Sequence, residues 1–221
     1  MQVRWHIASD GWLALALFGL LTICLTFLDE TLGAFSLGLM IWLGYILRVP
    51  RRHAPDDARA IVSPADGKII AIDDVAGLAS LEQAGANGEW ATRITVATAI
   101  TDAHLQVAPV QGRIIDNFLV PGLFLPLDDL DVMRSDNERR EIIIETEQGM
   151  RIMLVHYGSR YARWLVCALG EGKFIRRGMP LGMLLMAGVT DIYLPSNVRL
   201  NVTEHQSLLG GETIIAMPKA A

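Results

Sequence analysis

The stretch SPADGKI at residues 63–69 decides the fold, because a rigid proline turn and a glycine stand directly before a β-branched run. A near copy, APVQGRI, follows at residues 108–114. In both copies a proline precedes a glycine by three positions, and a basic residue and an isoleucine come next. The repeated pattern therefore predicts two turns of one kind, each of which opens a β-strand.

Short apolar runs separated by glycine and proline continue along the rest of the chain. Two further glycine turns lie at residues 172–179 and 210–216, and no long segment of helical period follows residue 48. Residues 79–85 are predicted as a short helix or a loop. The turns resemble the corners of biotinyl/lipoyl-type barrel sandwiches, so we predict a mainly β body of that kind. The predicted strands are residues 68–72, 93–96, 113–115, 141–145, 151–155, 161–168 and 212–216.

The excess hydrophobicity is concentrated before this body. Residues 11–28 are 18 uncharged residues, and residues 32–47 are another 16. As helices they would measure about 27 Å and about 24 Å, the short end of a membrane crossing. Four arginines flank the pair: Arg4, Arg48, Arg51 and Arg52. We predict a hydrophobic helical hairpin that spans or re-enters the inner or cell membrane, with the body in the cytoplasm; a buried hairpin of a soluble core is the alternative.

The amino-acid composition limits which classes of protein and which partners the chain can have. Of 221 residues, 52% are hydrophobic and 19% are charged, which excludes general disorder. The net charge of −5 argues against nucleic acid as a partner. Cys24 and Cys167 are predicted as buried free thiols, and without a Cys/His cluster no metal site is expected. The predicted domains are the hairpin at 1–48, a linker at 49–59 and a β domain at 60–221.

Three polar residues are candidates for chemistry. Asp66 lies in the first proline turn, where a carboxylate commonly just accepts hydrogen bonds from its own backbone. Asp102 and His104 are two apart in a predicted strand, so both would point to one face and the carboxylate could orient the imidazole. A purely structural histidine is the alternative.

These motifs, in this order, resemble the short bacterial and archaeal branch of the phosphatidylserine decarboxylase family. The likeness runs from about residue 10 to residue 217, hairpin included. The motifs that carry it are SPADG at 63–67, Asp102-x-His104, APVQG at 108–112, NER at 137–139, AR at 162–163, residues 178–183, DIYLP at 191–195 and GETIIA at 211–216.

The resemblance implies an enzyme that makes its own cofactor. In that family a serine after a glycine cuts the chain and becomes a pyruvoyl group, which serves in the conversion of phosphatidylserine to phosphatidylethanolamine and CO2. The resemblance also implies a membrane phospholipid as partner. The implied catalytic residues are Asp66, Asp102 and His104, and the implied substrate-binding residues are Asn137, Arg139 and Arg163.

The self-cleavage junction departs from the family pattern. An ungapped alignment from DIYLP puts Ala187 at the glycine and Gly188 at the serine, whereas a shift of one residue puts Gly188 and Val189 there. Neither alignment supplies a hydroxyl. Thr190 carries one nearby but is offset, and Gly-Ser at 158–159 belongs to another segment. The pyruvoyl group is therefore not expected to form.

Three functional hypotheses remain from the sequence. The missing serine favours a pseudoenzyme, an uncleaved member that binds aminophospholipid or regulates an active relative. Self-association or association with that relative is the predicted assembly. The first alternative is an active phosphatidylserine decarboxylase with an atypical cleavage residue. The second is a membrane-anchored biotinyl-like carrier or structural module, for which Lys68 and Lys173 are candidate lysines that lack the Met-Lys-Met context.

Overall fold

The computed structural model describes residues 5–7, 11–50, 52–57, 59–75, 90–126, 128–160, 165–167, 169–184 and 188–219. The chain forms two compact units, Met1–Arg51 and Arg52–Ala221. In the first unit, two short strands pair antiparallel and two helices lie between them in sequence. These elements are β1 (Trp5–Ile7), α1 (Gly11–Leu28), α2 (Glu30–Ile46) and β2 (Arg48–Pro50).

Small and polar residues form the contact between the two helices. Asp29 caps α2 by accepting hydrogen bonds from the first backbone N–H groups of that helix. The buried hydroxyls of Thr22 and Ser36 hydrogen-bond across the pair at 2.8 Å. A Cβ on Gly33 would lie 2.2 Å from Thr26 Oγ1, so only glycine permits this approach.

Most of the bulky apolar side chains of this pair are exposed. With 18 and 17 residues, the helices measure about 27 Å and 26 Å, less than a bilayer core of about 30 Å. Among the described residues, no helix combines the length and the apolar character that a membrane crossing requires, so the prediction of spanning helices is not supported. Cys24 is exposed, which corrects the prediction of its burial. The exposed large apolar residues are Trp12, Leu13, Leu17, Leu20, Leu21, Ile23, Phe27, Leu28, Leu32, Phe35, Leu37, Leu39, Ile41, Trp42 and Tyr45.

The second unit is mainly β, as predicted. The strands are β3 (Ile61–Val62), β4 (Gly67–Asp74), β5 (Trp90–Thr98), β6 (Leu105–Val107), β7 (Gly112–Val120), β8 (Arg139–Glu145), β9 (Arg151–Tyr157), β10 (Leu165–Cys167), β11 (Phe174–Ile175), β12 (Pro180–Leu184), β13 (Gly188–Pro195), β14 (Val198–Leu200), β15 (Ser207–Leu208) and β16 (Ile214–Pro218). Eight antiparallel strands form one sheet in the order β11-β7-β8-β9-β13-β5-β4-β15, and two three-stranded sheets have the orders β10-β12-β6 and β14-β16-β3. The likeness to a biotinyl/lipoyl sandwich stays a prediction.

The repeated proline–glycine turns open two long strands of the large sheet, as the pattern predicts. Gly67 begins β4 and Gly112 begins β7. A Cβ on either glycine would lie 2.3 Å from a carbonyl oxygen of the neighbouring strand, that of Ala97 or that of Glu145. The glycine of the repeat is thus required because another backbone passes directly over it.

Strand β13 lies inside the large sheet, between β5 and β9, and both of its faces are buried. We call inner the face on which Ile192 packs with Leu154 in the larger hydrophobic cluster. The outer face carries Tyr193 and Met153, which pack with Met133 of a short helix, α3 (Leu130–Asp136). Because side chains alternate along a strand, successive residues of β13 belong to different environments.

Candidate functional site

Asp66 lies in the turn before β4 and is 9% exposed. One carboxylate oxygen accepts a hydrogen bond from the Gly210 N–H at 2.7 Å, and the other is ion-paired with Arg52. Burial raises the pKa of Asp66 and the nearby Asp102 carboxylate acts in the same direction, whereas Gly210 and Arg52 oppose the rise. The two predicted catalytic carboxylates, Asp66 and Asp102, are therefore close enough to interact.

Asp102 and His104 precede a strand rather than lie in one. Strand β6 begins only after His104, so the prediction that strand alternation aligns their side chains is wrong. Asp102 instead closes a turn, where its Oδ2 accepts the Ala99 N–H at 2.8 Å. His104 is fully buried, and its carbonyl oxygen accepts the N–H of Leu184 at 3.0 Å.

The degenerate cleavage junction lies beside the Asp66 turn. Gly188 pairs with Thr98 of β5, and the Thr98 hydroxyl donates to the Asp66 carbonyl at 2.7 Å. A Cβ on Gly188 would lie 2.3 Å from Leu184 Cδ2 and 2.7 Å from Leu184 Cγ. A side chain at this position would therefore require the fully buried Leu184 to move. Ala187 lies outside the described residues.

Thr190 is the hydroxyl residue that follows this junction most closely in sequence, and it is fully buried in β13. Its Oγ1 lies 3.1 Å from His156 Nδ1 and donates to Gln106 Oε1 at 3.4 Å. Burial lowers the pKa of His156 to about 4, with the charge of Arg140 acting in the same direction. The imidazole is therefore neutral near pH 7.

Three polar side chains on the inner face of the large sheet meet Gln106 of β6, a strand of a three-stranded sheet. We call the four residues the inner polar row: Gln106, Arg140, His156 and Thr190. Arg140, His156 and Thr190 stand directly opposite one another on β8, β9 and β13. Sequence reasoning missed this row. A signal was available, because Arg140 and His156 each stand two positions before or after a core isoleucine or leucine, Ile142 or Leu154. Alternation along a strand places residues two apart on the same, here apolar, face.

The outer face of β13 holds a different polar group. Asp191 is fully buried, and its Oδ2 accepts hydrogen bonds from Arg134 Nε at 3.0 Å and from the Tyr157 hydroxyl at 3.2 Å. Arg134 also donates to Thr95 Oγ1 at 2.9 Å. Burial raises the pKa of Tyr157, and the Asp191 charge adds to that rise. Asp191 of the DIYLP motif therefore ties β13 to α3.

Of the three predicted substrate-binding residues, the structure describes Asn137 and Arg139. Asn137 is fully buried and clamps backbone, since its amide group bonds Leu125 N, Leu125 O and Gly158 O at 2.9 to 3.1 Å. Arg139 donates to Glu141 Oε1 at 2.7 Å. Arg163 lies outside the described residues. Within the described ranges, no group of three His, Cys, Asp or Glu side chains could hold a metal ion.

Comparison with known proteins identifies the family that this chain resembles. The sequence pattern of the family described as phosphatidylserine decarboxylase matches residues 39–216. A phosphatidylserine decarboxylase proenzyme of Geotalea uraniireducens is 32% identical over 212 residues, which cover 96% of each chain. Proteins of the same name from Geobacter sulfurreducens and Rickettsia typhi are 31% and 32% identical, with 96% and 95% of this chain covered and 96% and 89% of theirs.

Proposed function

The chain belongs to the phosphatidylserine decarboxylase family, and on that premise we propose that it is an uncleaved member that binds aminophospholipid. One observation carries the proposal. Gly188, the first residue of β13, aligns without a gap with the cleavage serine of the family, and Leu184 fills the space that a side chain would need there.

The pyruvoyl group of the family does not fit the residues at this junction. Its formation requires a hydroxyl on the residue that becomes the new chain start, and neither Gly188 nor Val189 has one. Val189 is moreover a buried member of the outer hydrophobic cluster. No step through a pyruvoyl group is therefore assigned to this chain.

Charge and apolar surface support lipid binding. Asp66 and Asp102 provide two interacting carboxylates beside the junction, which suit the ammonium group of an aminophospholipid. The exposed apolar side chains of α1 and α2 suit contact with the acyl region of the inner or cell membrane. Arg48 and Arg51 follow α2 and favour a cytoplasmic β domain. Association with itself or with an active relative completes the proposal.

The test combines intact mass with vesicle flotation of the full chain purified in detergent. We expect a single species at 24.3 kDa. We also expect flotation with phosphatidylserine vesicles in preference to phosphatidylcholine vesicles, and a loss of that preference in Asp66→Asn. Glu204→Gln, a change of the same kind at an exposed site, is the matched control. Two fragments, or equal flotation with both lipids, would overturn the proposal.

An active decarboxylase is the second candidate. The curated relatives are named proenzymes, and a neutral His156 lies 3.1 Å from the Thr190 hydroxyl. His156 could take the hydroxyl proton while Thr190 Oγ1 attacks the Val189 carbonyl, which breaks the peptide C–N bond and forms an ester. Loss of the Thr190 Cα proton would then expel the Val189 carboxylate. Water would release ammonia from the resulting imine and leave a 2-oxobutanoyl end.

The position of Thr190 argues against this route. Its backbone pairs with Val96 on one side and His156 on the other, so its peptide would have to leave the sheet before attack. A fragment comprising residues 190–221, absent from Thr190→Ala, would establish the second candidate.

A further inference from the structure

The inner polar row interrupts an otherwise apolar surface. Along β8 and β9 the core-facing positions are apolar at Ile142 and Leu154, both fully buried, and then become polar at Arg140 and His156. Polar and charged groups in such a place are costly unless they are hydrogen-bonded. Their presence therefore requires a compensating interaction.

Among the described residues, the positive charge of Arg140 has no carboxylate partner. Its Nη1 donates to Asn117 Oδ1 at 3.0 Å, which is a neutral amide oxygen. Within the part of the chain that the structure describes, no carboxylate lies at ion-pair distance from Arg140, and its buried Nε has no hydrogen-bond partner. A guanidinium held in this way favours an anion beside it.

Gln106 and His156 bring further buried nitrogens to the same place. They are 2% and 5% exposed, and the Nε2 atoms of both have no hydrogen-bond partner among the described residues. The Thr190 hydroxyl links the two, since it contacts Gln106 Oε1 and His156 Nδ1. The amide oxygen of Gln106 is thereby occupied, which leaves its NH2 group to donate to a ligand.

Three residues of the row, Arg140, His156 and Thr190, are immediate neighbours in the large sheet. Arg140 is the register partner of His156, and His156 is the register partner of Thr190. Side chains directly opposite each other on antiparallel strands have Cβ atoms about 4.5–5.5 Å apart. A single small group can therefore reach donors from more than one of them.

We propose that the inner polar row binds an anionic oxygen group, a carboxylate or a phosphate, through Arg140 Nε and Gln106 Nε2. Because the Thr190 hydroxyl donates to Gln106, the neutral His156 donates from Nδ1 to Thr190, and its bare Nε2 can only accept a hydrogen bond from a protonated oxygen of the group. The proposal deepens the proposed function, on which it rests for the class of ligand: the group belongs to the headgroup of the bound phospholipid. The site itself rests on the unpaired buried nitrogens.

Calorimetric titration of the full chain in detergent tests this site. The probes are glycerophosphoserine, glycerophosphoethanolamine and inorganic phosphate. We expect Gln106→Glu, which replaces the donating amide by a carboxylate of the same shape, to weaken binding by about tenfold or more. Gln111→Glu makes the same change at an exposed position of the second proline turn and should leave affinity unchanged.

Arg140→Gln is the second variant, in case a buried carboxylate at position 106 prevents folding. It should also bind about tenfold more weakly, with the melting temperature of each variant as the folding check. Preference for glycerophosphoserine over glycerophosphoethanolamine supports recognition of the carboxylate, whereas equal binding of all three probes supports recognition of the phosphate. Wild-type affinity in both variants, or no binding of any probe to the wild type, overturns the site.

The outcomes separate this site from the proposed function. A chain that floats with phosphatidylserine vesicles but binds no probe would overturn the inner polar row alone. A chain that binds glycerophosphoserine but is recovered as two fragments would overturn the uncleaved state alone.

Discussion

Thr190 and Asp191 are neighbours in one strand, both fully buried, yet their surroundings differ. On the outer face, Asp191 Oδ2 receives two donors and is paired with Arg134, although its Oδ1 has no partner among the described residues. On the inner face, Thr190 joins Gln106 and His156, whose remaining nitrogens lack partners there. The difference indicates that the outer group holds the fold together and that the inner group is left to bind a ligand.

Breaking the outer ion pair should have the largest effect on stability. Arg134→Met leaves the buried Asp191 carboxylate without its cation, which should lower the free energy of unfolding by about 3–5 kcal/mol. Urea unfolding of the detergent-solubilised chain measures this loss. Arg151→Met, which removes a half-exposed ion pair with Glu145, should cost under about 1 kcal/mol. Similar losses in both variants would contradict a structural role for Asp191.

The free energy of unfolding should depend on pH through His156 on the inner face. Its pKa is about 4 in the folded chain against 6.5 as the ordinary value, so the unfolded chain takes up this proton first as pH falls. Stability should decrease by about 3 kcal/mol between pH 6.5 and pH 4. The raised pKa of Asp66 acts with the opposite sign, because it favours the folded state at low pH.

The measurement is therefore the difference between the wild type and His156→Gln in urea midpoints at pH 7, 5.5 and 4.5. His156→Gln should lose less stability on acidification, because it has no imidazole to protonate. Parallel pH curves for the two proteins would show that His156 is not held neutral by burial.

The smallest effect is expected from Thr190→Val, which keeps the shape of the side chain and removes only the hydroxyl. The loss of its hydrogen bonds to Gln106 and His156 should cost about 1–2 kcal/mol. Affinity for glycerophosphoserine should also fall, since the Gln106 amide is no longer oriented. Thr203→Val, in an exposed loop, should change neither quantity. A loss as large as that of Arg134→Met would remove the contrast between the faces.

Local sequence signals predicted the β architecture and the turns. The inner polar row could not be predicted, because it depends on the pairing of strands that are distant in sequence. The proline–glycine repeat identifies Gly67 and Gly112 because the proline turn, the glycine and the strand that follows are adjacent in sequence. The pairing of His156 with Thr190 depends on the register of β9 against β13, which no local pattern contains. The seven residues of α3 are too few to show a helical period.

The prediction for Asp102 and His104 failed for a related reason. Alternation was applied to them as though the strand already ran through this segment, whereas three residues are all that β6 contains. The family resemblance found the Asp66 turn and the junction at Gly188, which the fold places beside each other through Thr98. It could not reveal that Leu184 fills the space next to Gly188, because that contact depends on packing.

The contact between α1 and α2 has a consequence for the solvent that this pair tolerates. Thr22, Ser36, Gly33 and Thr26 hold the two helices together, while most of the bulky side chains are exposed. Cohesion of this kind gains little from the expulsion of water, since it comes from close backbone approach and hydroxyl hydrogen bonds. An apolar solvent preserves both the close backbone approach and the hydroxyl hydrogen bonds, so the two helices should stay together in detergent. In water without detergent, the exposed apolar side chains would cause the chains to aggregate.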